Sequence, residues 1–402
     1  MTSEKTLITR RDILAASFML FNTLIWYYLV QLLIDRLLGT VSVSLSENSM
    51  IWTAYYSSIL IFCLVGGLLS EKVRRPVLLK IWILYGVATS LLPILFEGSI
   101  TFTVMILLAV VLGGSGIGLP SILAYFGEST STLGRGRTGG VVVLASFVTL
   151  PILIVAIQQL SFLVCIVVVA VWRADCFPVL FLKLKERISG EIVSVSSVLS
   201  RQYILYFIPW VLFCLINQTG MAVFGYFAEG RFSSITTLVE MFVGAIFGFV
   251  GGMLSDRFGR RWVVTCGFVT LGLGYAILSI VPLMSAVWMW HFIVDGAAWG
   301  VLTAMFVLVI WGDLARKGGG ERSYAVGIAP LFLSGFVWLF FTPILIGLPR
   351  AGAFSIAALF LFVAVIPLLY APETIPEKVL EHDRMKRYLK KAKELKEKYQ
   401  RG

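Results

Sequence analysis

The sequence predicts an all-α membrane protein of twelve transmembrane helices arranged as two six-helix bundles. Three observations predict it. Of 402 residues, 58% are hydrophobic and only 14% charged, where a soluble domain carries roughly a quarter charged. The apolar residues gather into twelve long runs, and a run of about 18 or more apolar residues reads as a bilayer span. Short charged motifs also recur at one fixed spacing, so that the second half of the chain repeats the first.

The first run, 12–39, is too long for a signal-peptide core and no small-residue cleavage site follows it, so it is read as a retained helix. The runs 49–70, 76–95, 100–126, 140–159 and 161–182 complete a first bundle over residues 1–182. A polar stretch, 183–202, links it to a second bundle over 203–371, with runs at 203–227, 232–254, 262–284, 286–311, 324–347 and 351–370. Residues 372–402 form a basic tail in which Met385, Tyr388, Leu389, Ala392 and Leu395 fall at helical spacing. That pattern suits an amphipathic helix on an anionic inner leaflet, or equally a solvated helical tail.

Basic residues orient the spans. With twelve spans, alternate loops place nineteen Lys and Arg on one side before the tail, against only Arg36, Arg231 and Arg350 on the other. Such asymmetry in short loops puts the rich side, and with it both termini, in the cytoplasm of a cell membrane. The net charge of +11 follows from this bias and gives no ground for a nucleic-acid partner; the partners expected are the bilayer and a small-molecule solute, with the protein a monomer. The five cysteines lie in apolar runs without a CxxC spacing, so neither a disulfide framework, a metal site nor a cofactor is expected.

The repeat is carried by charged positions. Gly67, Glu71 and Lys72 recur as Gly252, Asp256 and Arg257 at an offset of 185, and Gly127-Glu128 recurs as Gly312-Asp313 at the same offset, as does Arg137 as Arg322. Six spans per copy give both copies the same orientation and relate them by an axis along the membrane normal. Gly252-Met-Leu-Ser-Asp256-Arg257-Phe-Gly259-Arg260-Arg261 fits the loop signature G-x-x-x-D-R-x-G-R-R, and the chain thereby resembles the major facilitator superfamily. Gly127-Glu128 with Arg135-Gly136, Pro372-Glu373-Thr374, and Asn217-Gln218-Thr219-Gly220 resemble the sugar-porter branch. The first-half copy of the loop departs from the signature at Glu71, Arg74 and Pro76, span 4 has no arginine, and Pro151 stands without the drug-antiporter pattern.

The resemblance implies a secondary transporter working by alternating access, a central cavity lined by spans 1, 4, 7 and 10, and a cytoplasmic gate. For the gate we single out Gly252, Asp256, Arg257, Gly259, Arg260, Arg261, Glu128, Arg135, Arg137, Asp313 and Arg322. Gly252 and Gly259 allow close approach and a tight turn, and Asp256, just before span 9, can favour the N-terminal dipole of that helix. The carboxylates and arginines would latch the halves together; arginines there also obey the positive-inside rule, which does not account for the acids.

Polar groups inside spans are costly and mark sites by default. Asn22 and Gln31 on span 1, Asn217 and Gln218 on span 7 and Trp299 on span 10 are the substrate candidates, since amides both donate and accept and an indole can stack on a sugar ring. Inter-helix hydrogen bonding and plain packing explain them nearly as well. Asp295, with His291 one turn away, Glu240 about 12 Å below the outer end of span 8 at 1.5 Å per residue, and Asp35 are the proton-coupling candidates. A carboxylate in low dielectric can load and release a proton, or stay protonated and simply pack its helix. Arg173 and Asp175 in span 6 are read as structural, paired with each other or a neighbouring span, or with Arg173 reaching toward the cytoplasm. The expected function is transport of a small polar organic solute, a sugar or similar metabolite, with proton symport; an exporter or uniporter of the same fold is the alternative. A membrane enzyme would need paired metal-binding aspartates or a histidine-rich cluster, and only His291 and His382 are present; a sensor would add a signalling domain.

Overall fold

The computed structural model describes residues 9–41, 43–70, 72–96, 98–182, 200–227, 233–282, 284–315 and 319–377, with 379–381, 385, 386, 388, 389 and 392 of the tail. Glu71, most of the 183–202 link and most of the tail lie outside the described residues. The described residues are helical with no strand. In the first half α1 is Arg10–Leu38, α2 Leu45–Leu69, α3 Arg75–Phe96, α4 Phe102–Ser129, α5 Arg135–Gln158 and α6 Phe162–Leu180. In the second α7 is Arg201–Phe227, α8 Ser233–Phe258, α9 Arg260–Ile280, α10 Ser285–Leu314, α11 Gly320–Ile346 and α12 Arg350–Tyr370. Ten of these are long and apolar enough over their described residues to cross a bilayer, and α7 and α11, of 27 residues each, complete six per half.

Local chemistry sets the helix starts. Thr9 caps α1 by accepting the Asp12 N–H at 3.2 Å. Ser44 and Glu47 form a reciprocal capping box on α2. Pro76 in the first turn of α3 spends a position whose N–H has no intrahelical acceptor. Two helices are irregular: α4 tightens to a 3-10 turn at Gly114–Gly118, and α10 loosens to a π turn at Ala304–Val309. In α4 the glycines admit backbone, since a Cβ on Gly116 would stand 2.5 Å from the Ile59 carbonyl oxygen of α2.

The offset of 185 read from the charged motifs carries the whole architecture. Shifted by it, α3 falls on 260–281 and α5 starts at 320, where α9 and α11 begin. The halves meet along two seams, α2 against α11 and α5 against α8. Because α8 is the mate of α2 and α11 the mate of α5, the offset exchanges the two seams, which is a pseudo-twofold relation. Outward faces stay apolar and exposed, as at Ile61, Leu107, Ile152 and Leu359. Contiguous exposed hydrophobic surface of this extent needs an apolar solvent, and within it backbone hydrogen bonds are satisfied inside each helix.

Candidate functional site: an ionic seam and a polar interior

The sequence places arginines where α9 and α5 begin and acids where α4, α8 and α10 end. The fold brings these ends to one face, the arginine-rich one. Arg260 opens α9 and is fully buried. It donates Nε to Asp313 Oδ2 at 3.2 Å, Nη1 to Asp256 Oδ1 at 2.6 Å and to Ser255 Oγ at 2.9 Å, and Nη2 across to the Thr132 carbonyl of the first half at 2.6 Å. Asp313 also accepts from Arg135 of the first half and from the Thr374 hydroxyl at 3.1 Å.

Asp256 does not serve the helix nearest to it in sequence. Its carboxylate accepts the Gly136 N–H at 3.0 Å and the Arg137 N–H at 2.8 Å, capping α5 of the opposite half. The expected assignment to the N-terminus of span 9 is therefore corrected. The reason is spatial: Gly252 and Gly136 let α8 and α5 approach until the start of α5 lies under Asp256, and four free N–H groups at a helix start attract a carboxylate wherever it comes from. The start of α9 is taken instead by Glu373, which accepts the Arg260 N–H at 2.7 Å and the Arg261 N–H at 3.1 Å. Gly259 makes that possible. Its φ of 103° favours glycine, and a Cβ there would stand 2.3 Å from Glu373 Oε2.

The first half carries the mate of this arrangement. Arg75, which the offset pairs with Arg260, binds Glu128 twice, Nη1 to Oε2 at 2.8 Å and Nη2 to Oε1 at 3.0 Å, as Arg260 binds Asp313. Arg75 also crosses to Glu321 of the second half, both side chains being buried. Four contacts thus tie the halves: Arg135 to Asp313, Asp256 to the start of α5, Arg260 to Thr132 and Arg75 to Glu321. Of the residues singled out from sequence, Arg257 is exposed and forms no ion pair with a described residue, Arg137 contributes its N–H with its side chain exposed, and Arg261 reaches the Ala371 carbonyl at 3.0 Å. Sequence reasoning missed Arg75, Glu321, Glu373 and Thr374. Arg75 was findable as the offset mate of Arg260.

We expect Glu373→Ala to cost about 1 kcal/mol, the usual worth of an N-cap, and to lower the melting temperature of the detergent-purified protein; the Glu373→Gln variant should restore part of the loss through its amide oxygen. An unchanged melting temperature in the alanine variant would remove the capping role.

Inside the bilayer, several predicted site residues are already occupied with one another. Trp299 Nε1 donates to Asn217 Oδ1, joining α10 to α7, and its ring lies 5.6 Å from that of Phe147 on α5. Asn22 donates to the Trp172 carbonyl and accepts from Arg173, which binds α1 to α6. Gln31 and Gln218 are half-buried. Asp295 and Glu240 lie on closely packed helices: α10 presses on α8 so closely that a Cβ on Gly296, next to Asp295, would be 2.6 Å from the Glu240 carbonyl oxygen. His291 is buried with its ring edge-on to Tyr275 at 4.7 Å. Asp35 is apart from this group, exposed at the outer end of α1, beside Arg36, which caps the end of α5 through the Ile157 and Leu160 carbonyls at 2.8 and 3.0 Å. Arg173 neither pairs with Asp175 nor reaches toward the surface. It is fully buried between Trp26 and Trp82.

No family model and no curated protein matches the sequence. Solved structures do match. A bacterial homologue of the iron transporter ferroportin, in its outward-facing state, superposes with a TM-score of 0.71 at 12% identity, over 90% of this chain and 99% of that one. The Escherichia coli fucose:proton symporter FucP gives 0.71 at 12% identity, over 90% of this chain and 98% of its own. The human organic anion transporter MFSD10 gives 0.60 at 15% identity, over 89% and 99%. The chain has the fold of major facilitator superfamily transporters: twelve helices in two related bundles.

Proposed function

We propose that this chain is a secondary active transporter, which moves a small polar organic solute through a cell membrane by rocking its two halves about a central site. The observation that carries the proposal is the ionic seam. Four contacts tie the halves on the arginine-rich face, through groups that can separate, and offset-related ion pairs within each half, Arg75 to Glu128 and Arg260 to Asp313, hold the arginines in place for them. Two states differing by a few kcal/mol can be biased by a network of this size. The positive-inside rule assigns that face, with both termini, to the cytoplasm, and the halves of one monomer suffice for the motion. The ionic seam is then the cytoplasmic gate, with Asp256, Arg260, Asp313, Arg135, Arg75 and Glu321 as its members.

A sugar or similar metabolite is the solute favoured by the resemblance of Pro372-Glu373-Thr374 and of α7 to sugar porters, and Glu373 has a definite place in the gate. The similar structures name fucose with a proton, iron, and organic anions as cargo, so the fold does not choose among them. Proton coupling is assigned to Asp295 and Glu240, two acids on closely packed helices inside the bilayer; like charges so placed favour sharing a proton. The test is uptake into proteoliposomes with and without a pH gradient. We expect accumulation that requires the gradient, and expect Asp295→Asn to abolish it while solute exchange continues. Gradient-independent equilibration in the wild type would make the protein a uniporter, and unchanged accumulation in the variant would remove the role of Asp295.

A further inference from the structure

α10 changes its winding between the polar interior and the ionic seam. Asp295 and Trp299 precede the π turn at Ala304–Val309, and Asp313 follows it. In the turn the Ile310 N–H reaches the Met305 carbonyl, five residues back, so the turn holds one residue more than an α-helical turn. The backbone leaves helical values at Val309, with φ −110° and ψ −60°. The Tyr324 side chain of α11 meets α10 at this place and is fully buried. Its hydroxyl donates to the Leu308 carbonyl at 2.7 Å. The same hydroxyl lies so near Gly312 that a Cβ there would be 2.5 Å from it. Residues 308 and 312 are the two ends of one regular α-helical hydrogen bond, so the hydroxyl stands in the step that such a bond would close. A side chain inserted into the helical ladder is an established cause of local distortion.

The two halves supply a comparison within one molecule. The offset of 185 carries Tyr324 onto Gly139 and the π turn onto 119–124. The first half therefore has no hydroxyl at that place, and 119–124 of α4 is regular α-helix. The π turn occurs where the tyrosine stands and is absent where its mate is glycine. The first half also closes over the arrangement. A Cβ on Gly127, the mate of Gly312, would be 3.3 Å from the Tyr324 hydroxyl, and one on Gly139 of α5 would be 3.4 Å from the Leu308 Cβ. With the halves together the hydroxyl is thus enclosed between two glycines, one from each half. Once they part, the Gly127 side opens to solvent, where water can take over the bonds of the hydroxyl and the Gly312 N–H can recover the Leu308 carbonyl. Closing the turn to regular α-helix would rotate everything beyond it by about 100° and shift it by about 1.5 Å, the step of one residue. Asp313 would then turn away from Arg135.

We propose that Tyr324 is a positioning residue of the gate: its hydroxyl keeps α10 in the π form that aims Asp313 at Arg135, and lets go when the halves part, so that opening turns the end of α10 relative to Asp295 and Trp299. This rests on the transporter reading and names how its gate is coupled to its interior. The experiment is thiol labelling of the full chain from the arginine-rich face, at a cysteine placed by Ser121→Cys on α4 in a background without the native cysteines. Tyr324→Phe keeps the ring and removes the hydroxyl. We expect it to fold with a melting temperature near the wild type, since the Gly312 N–H can then bond the Leu308 carbonyl directly, and to label about tenfold faster, the effect of losing about one hydrogen bond from the closed state. In an Asp313→Asn background the same change should add nothing, because the group it aims is already disabled. Labelling at the wild-type rate would show that the aim of Asp313 does not need the hydroxyl. Equal acceleration in both backgrounds would show an effect of packing that bypasses Asp313, and a variant that fails to fold would show a plain structural brace; each of the three overturns the role. Asp313→Asn alone separates this failure from that of the wider reading: rapid labelling there keeps the gate without Tyr324, and labelling at the wild-type rate removes both.

Discussion

Replacing Asp313 by Asn is expected to open the arginine-rich face. Asp313 is fully buried and holds two arginines from different halves, Arg135 and Arg260. Arg260 keeps Asp256 when the charge is removed, but Arg135 keeps only the Thr130 hydroxyl at 3.1 Å and backbone carbonyls. Removing one partner of a buried pair costs roughly 3–5 kcal/mol, because the other charge is left uncompensated. The cost falls on the state in which the halves touch; once they part, Arg135 meets water. A penalty confined to one of two states shifts their ratio by about tenfold per 1.4 kcal/mol, so the expected shift is about a hundredfold or more. The measurement is thiol labelling from the arginine-rich face of a reporter placed by Ser121→Cys, a position buried in this state, in a background without the five native cysteines. Labelling should accelerate by that factor. Labelling at the wild-type rate would mean that the ion pairs are passengers on an interface held by packing. A cycle of Asp256→Asn with Arg322→Gln, read by the same labelling, tests whether the rest of the seam acts as a network; small additive effects would count against it.

The parts of this protein that repeat were legible in its sequence, and the parts that arise only between the repeats were not. Span positions follow from apolar runs, and the offset of 185 places α9 and α11 where α3 and α5 predict. The same offset relates the ion pair inside each half, Arg75 to Glu128 and Arg260 to Asp313, but not the contacts between halves, since the mates of Arg135 and Glu321 are Gly320 and Gly136. The partner of Asp256 was not legible. Sequence proximity points to α9, whereas the carboxylate caps α5, and nothing local to residues 252–261 encodes which foreign helix will arrive. In the sequence Glu373 belongs only to a motif past the last span, yet it caps α9. Asn22 and Trp299 stand out in the sequence as polar groups inside spans, but each meets a protein partner. Arg173 was visible as a misplaced charge, and its tryptophan sandwich was not, since Trp26 and Trp82 lie on two other helices.

Enlarging Gly252 should have an effect as large as breaking the ion pairs, by a different force. A Cβ on Gly252 would lie 2.3 Å from the Gly136 carbonyl oxygen, and one on Gly136 would lie 2.6 Å from the Gly252 oxygen. Neither neighbour can turn away, because both are helix backbone. The contact joins α8 to α5, which belong to different halves, so Gly252→Leu is excluded only from the state in which those ends meet. Gly300 provides the control. Its Cβ would stand 2.0 Å from the Gly244 oxygen, but α10 and α8 belong to one half and stay together throughout any rocking motion. Overpacking there costs roughly 1–3 kcal/mol or more in every state. We therefore expect Gly252→Leu to fold with a melting temperature near the wild type, to label rapidly from the arginine-rich face and to lose transport, whereas Gly300→Leu should lose stability itself. If Gly252→Leu transported normally, α5 and α8 would not need to touch during the cycle, and the seam could not be the gate. If both variants merely unfolded alike, the two halves would be one rigid body, with no parting between α5 and α8 for alternating access to use.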